Sequence, residues 1–416
     1  MVSTTIRRVL AFAFLSVAAV SRKDEWRFGS EAPDNVKAAW PERPPMYTHA
    51  PPEAKRPVGE PKPAVGARPP VELEPPLWPI AHERSADAVL GLALNYRLQD
   101  HRRFVGTLRK AGFAGDVVIA TQPLKKMKPD AIEFLRGMRV IAYPINPVCN
   151  TSGSTIKHKT CHWHSKEPPL PLAIIRHQLY RAWAEHYSED SLFYVADYRD
   201  TFFQASPFPP LRAERASAEA PPELVLFAEH YPFKKLGNCP FNGGWVRGCW
   251  GKKVYDRMKA QVVLCSGSYM GTKRAIIAFE STLLDEVQRA QCHAKGQPSD
   301  QGYLNKLYYA GQLSEAVTIA VHDRGTGIVN TVGSLDGSRP RGEGYLPPTH
   351  VNLGEYWGMR NPSGYVMQDD GVTYSPAVHQ WDRFYHELRD HVDKTLACDG
   401  CFDYSPPSRS QAAAAG

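Results

Sequence analysis

Short continuous apolar runs recur through the middle of the chain: AVLGLAL from Ala88, VVIA from Val117, VIAY from Val140, LFYVA from Leu192 and LVLFA from Leu224. A strand with one wet face alternates polar and apolar side chains, so runs that do not alternate read as strands buried on both faces. Such strands need helices on both sides. The segments between them supply these: residues 101–112, 131–138, 275–291, and 171–186 with Leu172, Ile175, Leu179, Ala182 and Trp183 on one face. Strand and helix in alternation build a mostly parallel sheet, and right-handed crossovers make it doubly wound. The sequence therefore predicts an α/β fold, a Rossmann-like mixed sheet in a single domain. Residues 262–272, VVLCSGSYMGT, read as a further strand and glycine-punctuated turn, Asn242 to Gly248 as another glycine-rich turn, and Asp300 opens a last helix.

The run at Leu192 ends in acids, with Asp197 and Asp200 where core strand gives way to loop. Ligands of open α/β sheets gather at carboxyl ends of strands, and two carboxylates there suit a hard divalent cation that keeps water and phosphate oxygens as its other ligands. That is the chemistry for holding a nucleoside diphosphate. An isolated D-x-x-D is more often a turn capped by Asp200 with Arg199 paired at the surface, so the weight falls on what lies downstream.

With 43% hydrophobic and 22% charged residues, the 416-residue chain can bury a large core. The net charge of +7 would help attract a diphosphate. Lys and Arg are scattered among acids, with no basic block interleaved with aromatics, which argues against nucleic acid as a partner. Residues 28–82 are rich in Pro, Ala, Glu and Lys and read as a disordered stem. Before it, Arg7 and Arg8 precede an apolar run at residues 9–20, the length of a signal-peptide core and shorter than a spanning helix needs. The layout expected is thus a cytoplasmic tail with signal peptide or signal anchor (1–27), the stem, a folded domain (83–404) and a frayed tail (405–416). Either form of the leader sends the chain into the secretory pathway, to the Golgi or ER lumen as a single-pass type II membrane protein or outward as a secreted one. Eight cysteines and the sequon at Asn150 agree with a lumen. Cys149–Cys161 and Cys239–Cys249 each bracket a short loop and are the expected bridges. The spacing of Cys161-His162-Trp163-His164 matches no zinc pattern and reads as a surface loop.

In this order, Asp197-Tyr198-Arg199-Asp200, Phe203-Gln204, Pro207-Phe208, the turn Cys265-Ser-Gly-x-x-x-Gly-Thr272, Asp300-Gln301 with Asn305, and Val378-His379-Gln380 make residues 86–390 resemble the GT-A glycosyltransferases, in particular plant, algal and protist luminal members. The resemblance implies Mn²⁺ or Mg²⁺ held by Asp197, Asp200 and His379 and bridging the phosphates of a UDP- or GDP-sugar. It further implies donor or sugar contacts from Arg176, Arg199, Asn242, Gly243, Gly267, Gly271 and Gln301, with Asp300 at the donor hydroxyls or the reacting carbon. The usual acid motif of that family is D-x-D; here Arg199 takes the third position and the second acid follows it. A carboxylate base is needed only for inversion, and Asp300, Glu229 and Asp382 are all candidates. Plainer roles stand beside these: a helix cap for Asp300, a half-buried histidine at 379, an exposed helical arginine at 176 and turn glycines. The expectation is a hexosyl- or pentosyltransferase acting on a glycan, protein or other acceptor. The alternative is a non-catalytic luminal or secreted glycan-binding protein of the same fold.

Overall fold

The computed structural model describes residues 71–149, 160–163, 169–230, 234–292, 300–335, 365–368 and 373–396. The leader, the stem before residue 71, the Asn150 sequon and the tail from 405 lie outside the described residues. Among those described, no helix is long and apolar enough to cross a membrane.

The strands, in chain order, are β1 (Ala88–Leu92), β2 (Asp116–Thr121), β3 (Val140–Pro144), β4 (Val148–Cys149), β5 (Thr160–His162), β6 (Leu170–Pro171), β7 (Leu192–Ala196), β8 (Thr201–Phe203), β9 (Leu224–Ala228), β10 (Leu264–Thr272), β11 (Ile319–His322), β12 (Val329–Thr331) and β13 (Ala377–His379). Seven form the main sheet in the order β3-β2-β1-β7-β10-β9-β11. Only β10 runs against its neighbours β7 and β9, giving a mixed, mostly parallel, Rossmann-like sheet as the sequence predicts.

The helices are α1 (Leu98–His101), α2 (Thr107–Lys110), α3 (Pro129–Gly137), α4 (Leu172–Ala184), α5 (Phe208–Ser217), α6 (Pro240–Trp250), α7 (Lys252–Met258), α8 (Lys273–Ala290) and α9 (Asp300–Tyr309). Alternate residues of each central strand serve opposite cores. Leu90, Phe193, Val195, Leu224 and Leu226 pack with Ile175, Leu179, Phe279, Leu283, Leu304 and Leu307 from α4, α8 and α9. Val89, Val117, Ile119, Leu192, Tyr194 and Phe227 pack with Leu108, Phe134, Leu135 and Leu211 from α2, α3 and α5. Each fully buried Leu, Ile or Phe contributes about 1.5–3 kcal/mol, so both layers are needed.

A second sheet, β12-β13-β8, lies next to the acid loop in sequence, because β8 begins one residue after Asp200. Phe202 and Val378 pack beside Trp381, Phe384 and Leu388 in a small separate core. A π-helical turn at Arg102–Gly106 joins α1 to α2, and the Thr107 hydroxyl just beyond it accepts a hydrogen bond from the Phe203 backbone N–H, 3.0 Å, fastening β8.

Four expectations are corrected. Residues 77–78, expected within the disordered stem of 28–82, are ordered: Leu77 N donates to Ala142 O (2.8 Å), Trp78 Nε1 donates to Val140 O (2.7 Å), and Trp78 is buried, so this segment covers the edge strand β3. Residues 242–248 are inside α6 and not in a turn; Pro240 at its first turn and a Gly251 with φ of +84° after its end set its limits despite the internal glycines. Residues 264–272 form one nine-residue strand in place of a strand and turn. Cys149–Cys161 is bridged, linking β4 to β5, but Cys249 pairs with Cys292 and Cys239 is a buried free thiol. Loop length suggested Cys239–Cys249; instead helix α6 begins just after Cys239 and its rise separates that residue from Cys249 near the other end.

Candidate metal and donor site

The centre of the site is the carboxyl end of β7, the middle strand of the main sheet. Asp197 leaves that strand, and Asp200 follows in the turn into β8. Because β13 pairs antiparallel with β8, with His379 opposite Thr201, the histidine arrives beside Asp200. One ligand atom from each of Asp197, Asp200 and His379 lies within 4.8 Å of the others. His379 Nε2 stands 3.7 Å from Asp197 Oδ2 and 3.6 Å from Asp200 Oδ1, too far to bond either well, and it is buried with no hydrogen-bond partner. Ligand atoms around a small octahedral cation with bonds near 2.1 Å lie ~3 Å apart when adjacent and ~4.2 Å apart when opposite. The gap around Nε2 falls between those limits, so these three residues fit a Mn²⁺ or Mg²⁺ ion. The other ring nitrogen, Nδ1, faces the Cys265 thiol at 3.5 Å.

Gly267 makes room for this group. A Cβ there would lie 2.8 Å from Asp197 Cγ and 2.7 Å from His379 Cε1, both shorter than real contacts. The register of β10 against β9 breaks between Cys265 and Tyr269, and within the break the Gly267 carbonyl accepts from Asp197 N at 2.7 Å. Asn305 of α9 bonds both the N–H and the carbonyl of Leu264, each at 2.9 Å, fixing the strand just before the break.

Arg176 of α4 joins the two halves of the site. Its guanidinium bonds Asp197 on one side and Asp300 on the other, and Nη2 also reaches the Ser266 carbonyl at 3.3 Å. Asp300, buried at the start of α9, also accepts from Gln301 N (2.8 Å) and faces His177 Nε2 (3.4 Å). Burial alone would raise its pKa, but Arg176 and His177 outweigh that and bring it down to about 2. Burial likewise opposes ionisation of Asp197, and Arg176 with His379 holds it well below the usual carboxylate range. For His379, burial disfavours the charged ring, and Cys265 with the two carboxylates outweighs it, raising the pKa well above that of a free imidazole.

Gln301 links this centre to the end of β9. Its Nε2 donates to Glu229 Oε1 (2.8 Å) and to Asn242 Oδ1 (3.1 Å), and Glu229 is also paired with Lys234. Burial raises the Glu229 pKa, and Lys234 more than reverses it.

The structure thus brings together Asp197, Asp200, His379, Arg176, Asp300, Gln301, Asn242 and Gly267. It does not bring Arg199, Gly243 or Gly271 to the same place. Arg199 is 57% exposed and pairs with Asp382 at 3.0 Å. Gly243 is buried within α6, where a Cβ would meet the Tyr255 ring at 3.2 Å. Gly271 lies at the far end of β10, opposite Phe193 and Leu224, and its missing Cβ clears the Glu223 carbonyl by a would-be 2.6 Å. Sequence reasoning missed Arg383, which donates to Asp200 Oδ2 at 2.9 Å, and the buried pair His177 and Glu280. Arg383 follows the short β13 strand, and His177 follows Arg176; only their spatial neighbours distinguish them from ordinary surface or core residues.

No family model matches the chain, and no curated protein matches it. Among solved structures it is similar to a galactosyltransferase, LgtC, in complex with donor and acceptor sugar analogues, at 10% identity and a TM-score of 0.40, over 78% of this chain and 99% of that one. The strand order and not this likeness defines the fold.

Proposed function

We propose that the protein is a metal-dependent glycosyltransferase that moves a hexosyl or pentosyl group from a UDP- or GDP-sugar to a glycan, protein or other acceptor. The observation that carries this reading is the convergence of Asp197, Asp200 and His379 at the carboxyl end of the central strand, with an unbonded buried nitrogen facing two carboxylates. When bound there, Mn²⁺ or Mg²⁺ would supply positive charge for the departing nucleoside diphosphate. Arg176 would add a fixed cation beside it, already oriented by Asp197 and Asp300 and needing no rearrangement. Asp300 is a poor base at a pKa of about 2, so its role is to accept hydrogen bonds from donor hydroxyls. Gln301 and Asn242 would extend that polar lining toward Glu229. Together with the leader and the sequon at Asn150, the reading includes residence in the Golgi or ER lumen, as an anchored or a secreted protein.

A thermal-shift screen of nucleotide sugars with Mn²⁺, followed by donor hydrolysis, tests the reading, because a ligand of the native state alone raises the melting temperature. Donor- and metal-dependent stabilisation with turnover is expected. Glycosidase treatment of the protein from cells should also shift its mass through Asn150. One observation favours the second reading, a non-catalytic glycan-binding protein: Asp197 and Asp200 are each already paired with an arginine, Arg176 and Arg383. Saccharide binding without metal dependence or donor turnover would put that reading ahead.

A further inference from the structure

Behind Asp300 a chain of buried charges runs away from the site. His177 is fully buried, with Nδ1 2.6 Å from Glu280 Oε2 and Nε2 3.4 Å from Asp300 Oδ2. Glu280 on α8 is also fully buried, and its other oxygen accepts from the Tyr269 hydroxyl on β10. With Arg176 between Asp300 and Asp197, the order from the core outward is Glu280, His177, Asp300, Arg176, Asp197. Signs alternate along this chain when the imidazole carries both protons.

We propose that His177 and Glu280 are a positioning pair that fixes the orientation and charge of Asp300, and through it Arg176, for work at the donor. The inference rests on the glycosyltransferase reading of the site, but its structural part stands without it. Glu280 already accepts from Tyr269 and Asp300 from Arg176, so the ring nitrogens that face these two carboxylates at 2.6 and 3.4 Å are both placed to donate, as an imidazolium does. Burial works against that charge, and Glu280 with Asp300 outweighs it, raising the His177 pKa. The groups facing the ring are Glu280 from α8, Asp300 from α9, the Tyr180 ring at 6.1 Å on its own helix, and the apolar Phe279. A packing role alone would be filled by an uncharged side chain. Here instead two adjacent residues of α4, Arg176 and His177, converge on one oxygen of Asp300. Removing either outer charge leaves a buried partner uncompensated. Supporting groups of this kind change activity by about 10–100-fold when altered.

The test uses the full chain with selectively ¹⁵N-labelled histidine, the His177 signals being identified by their loss in His177→Gln. Both ring N–H signals should persist from pH 6 to 8. In parallel, Glu280→Gln, equal in shape and lacking the charge, is assayed with whichever of UDP-glucose, UDP-galactose and GDP-mannose the wild type hydrolyses in Mn²⁺. A fall in kcat of about 10–100-fold is expected, with the donor KM within twofold. A ring that titrates near the ordinary histidine range, or a Glu280→Gln protein that turns over at the wild-type rate, overturns the inference. If the wild type acts on no donor, the transferase reading fails instead, and the ring signals alone decide whether the charged pair exists.

Discussion

Gly267 is where a single methyl group would collide with the site, since both Asp197 and His379 occupy the space its Cβ would take. Gly267→Ala is therefore expected to fold, since β10 is held along its length by β7 and β9, yet to weaken Mn²⁺ binding and slow turnover at least ~10-fold, because the neighbours must give by several tenths of an ångström. Metal titration monitored beside circular dichroism checks both halves. Asp197→Asn should lower turnover by about 10² to 10³, the size of a key electrostatic contact to a leaving group, and His379→Ala should follow it. Asp200→Asn should lose metal affinity and only modest stability, because Arg383 loses one carboxylate partner but keeps its pairing with Asp382. Thermal melts of these variants, alongside metal titration, separate the two effects. At this scale the acids were legible as a pair at the end of a core strand, and the ordered elements downstream are what set them apart from a capped turn. His379 was legible only through the family likeness, since nothing in a three-residue strand announces its partner. Gly267 was read as giving room to a sugar or phosphate, or as a turn glycine, whereas its missing Cβ makes room for the site's own Asp197 and His379, because a sequence shows that a side chain is missing but not what fills its place.

Among the elements, β1, β2, β3, β7 and β9 follow directly from apolar runs, and two-sided burial is what makes those runs continuous, whereas only the first part of β10 was read as strand and β11 was not read at all. Helix α6 did not follow, since two adjacent glycines speak against a helix by intrinsic preference. Tertiary ties override that preference. Gly243 lies against the Leu236 carbonyl, and Cys249 near the end of the helix is bridged to Cys292, beyond α8. That bridge closes a separation of 43 residues against 12 for Cys149–Cys161. In the chain-entropy account the longer loop contributes about 4 kcal/mol and the shorter about 3 kcal/mol. Cys292→Ser should accordingly lower stability more than Cys161→Ser, and α6 should be the element whose amides lose protection, read by denaturant melts and hydrogen exchange. Equal losses, or a bridge mapped to Cys239, would count against the pairing.

For the folded part as a whole, buried imidazoles of opposite kinds set the dependence on pH. His82 and His101 are pushed down by burial to about 3 and about 4, so they fold neutral; their contribution is complete above ~6.5 and is lost as pH falls through those values. His177 is raised, so its contribution is complete below ~6.5 and is lost as pH rises through its folded value. Asp300 adds an acid loss only between ~3.8 and about 2. Stability of the metal-free protein should therefore peak near pH ~6.5 and decline on both sides, as calorimetry from pH 3 to 9 will show. How the two sheets combine also has a bearing on biosynthesis. The last strand of the main sheet ends at His322, but β13 and Arg383 come later, with Arg383 183 residues beyond the Asp200 it holds. While the ribosome is still adding that final stretch, the nascent chain already contains all seven strands of its principal scaffold and still lacks His379, the histidine of the candidate metal site. A messenger cut short after codon 376 would thus encode every strand of the main sheet but lack His379, and on the glycosyltransferase reading such a chain should neither bind Mn²⁺ at this site nor turn over a donor.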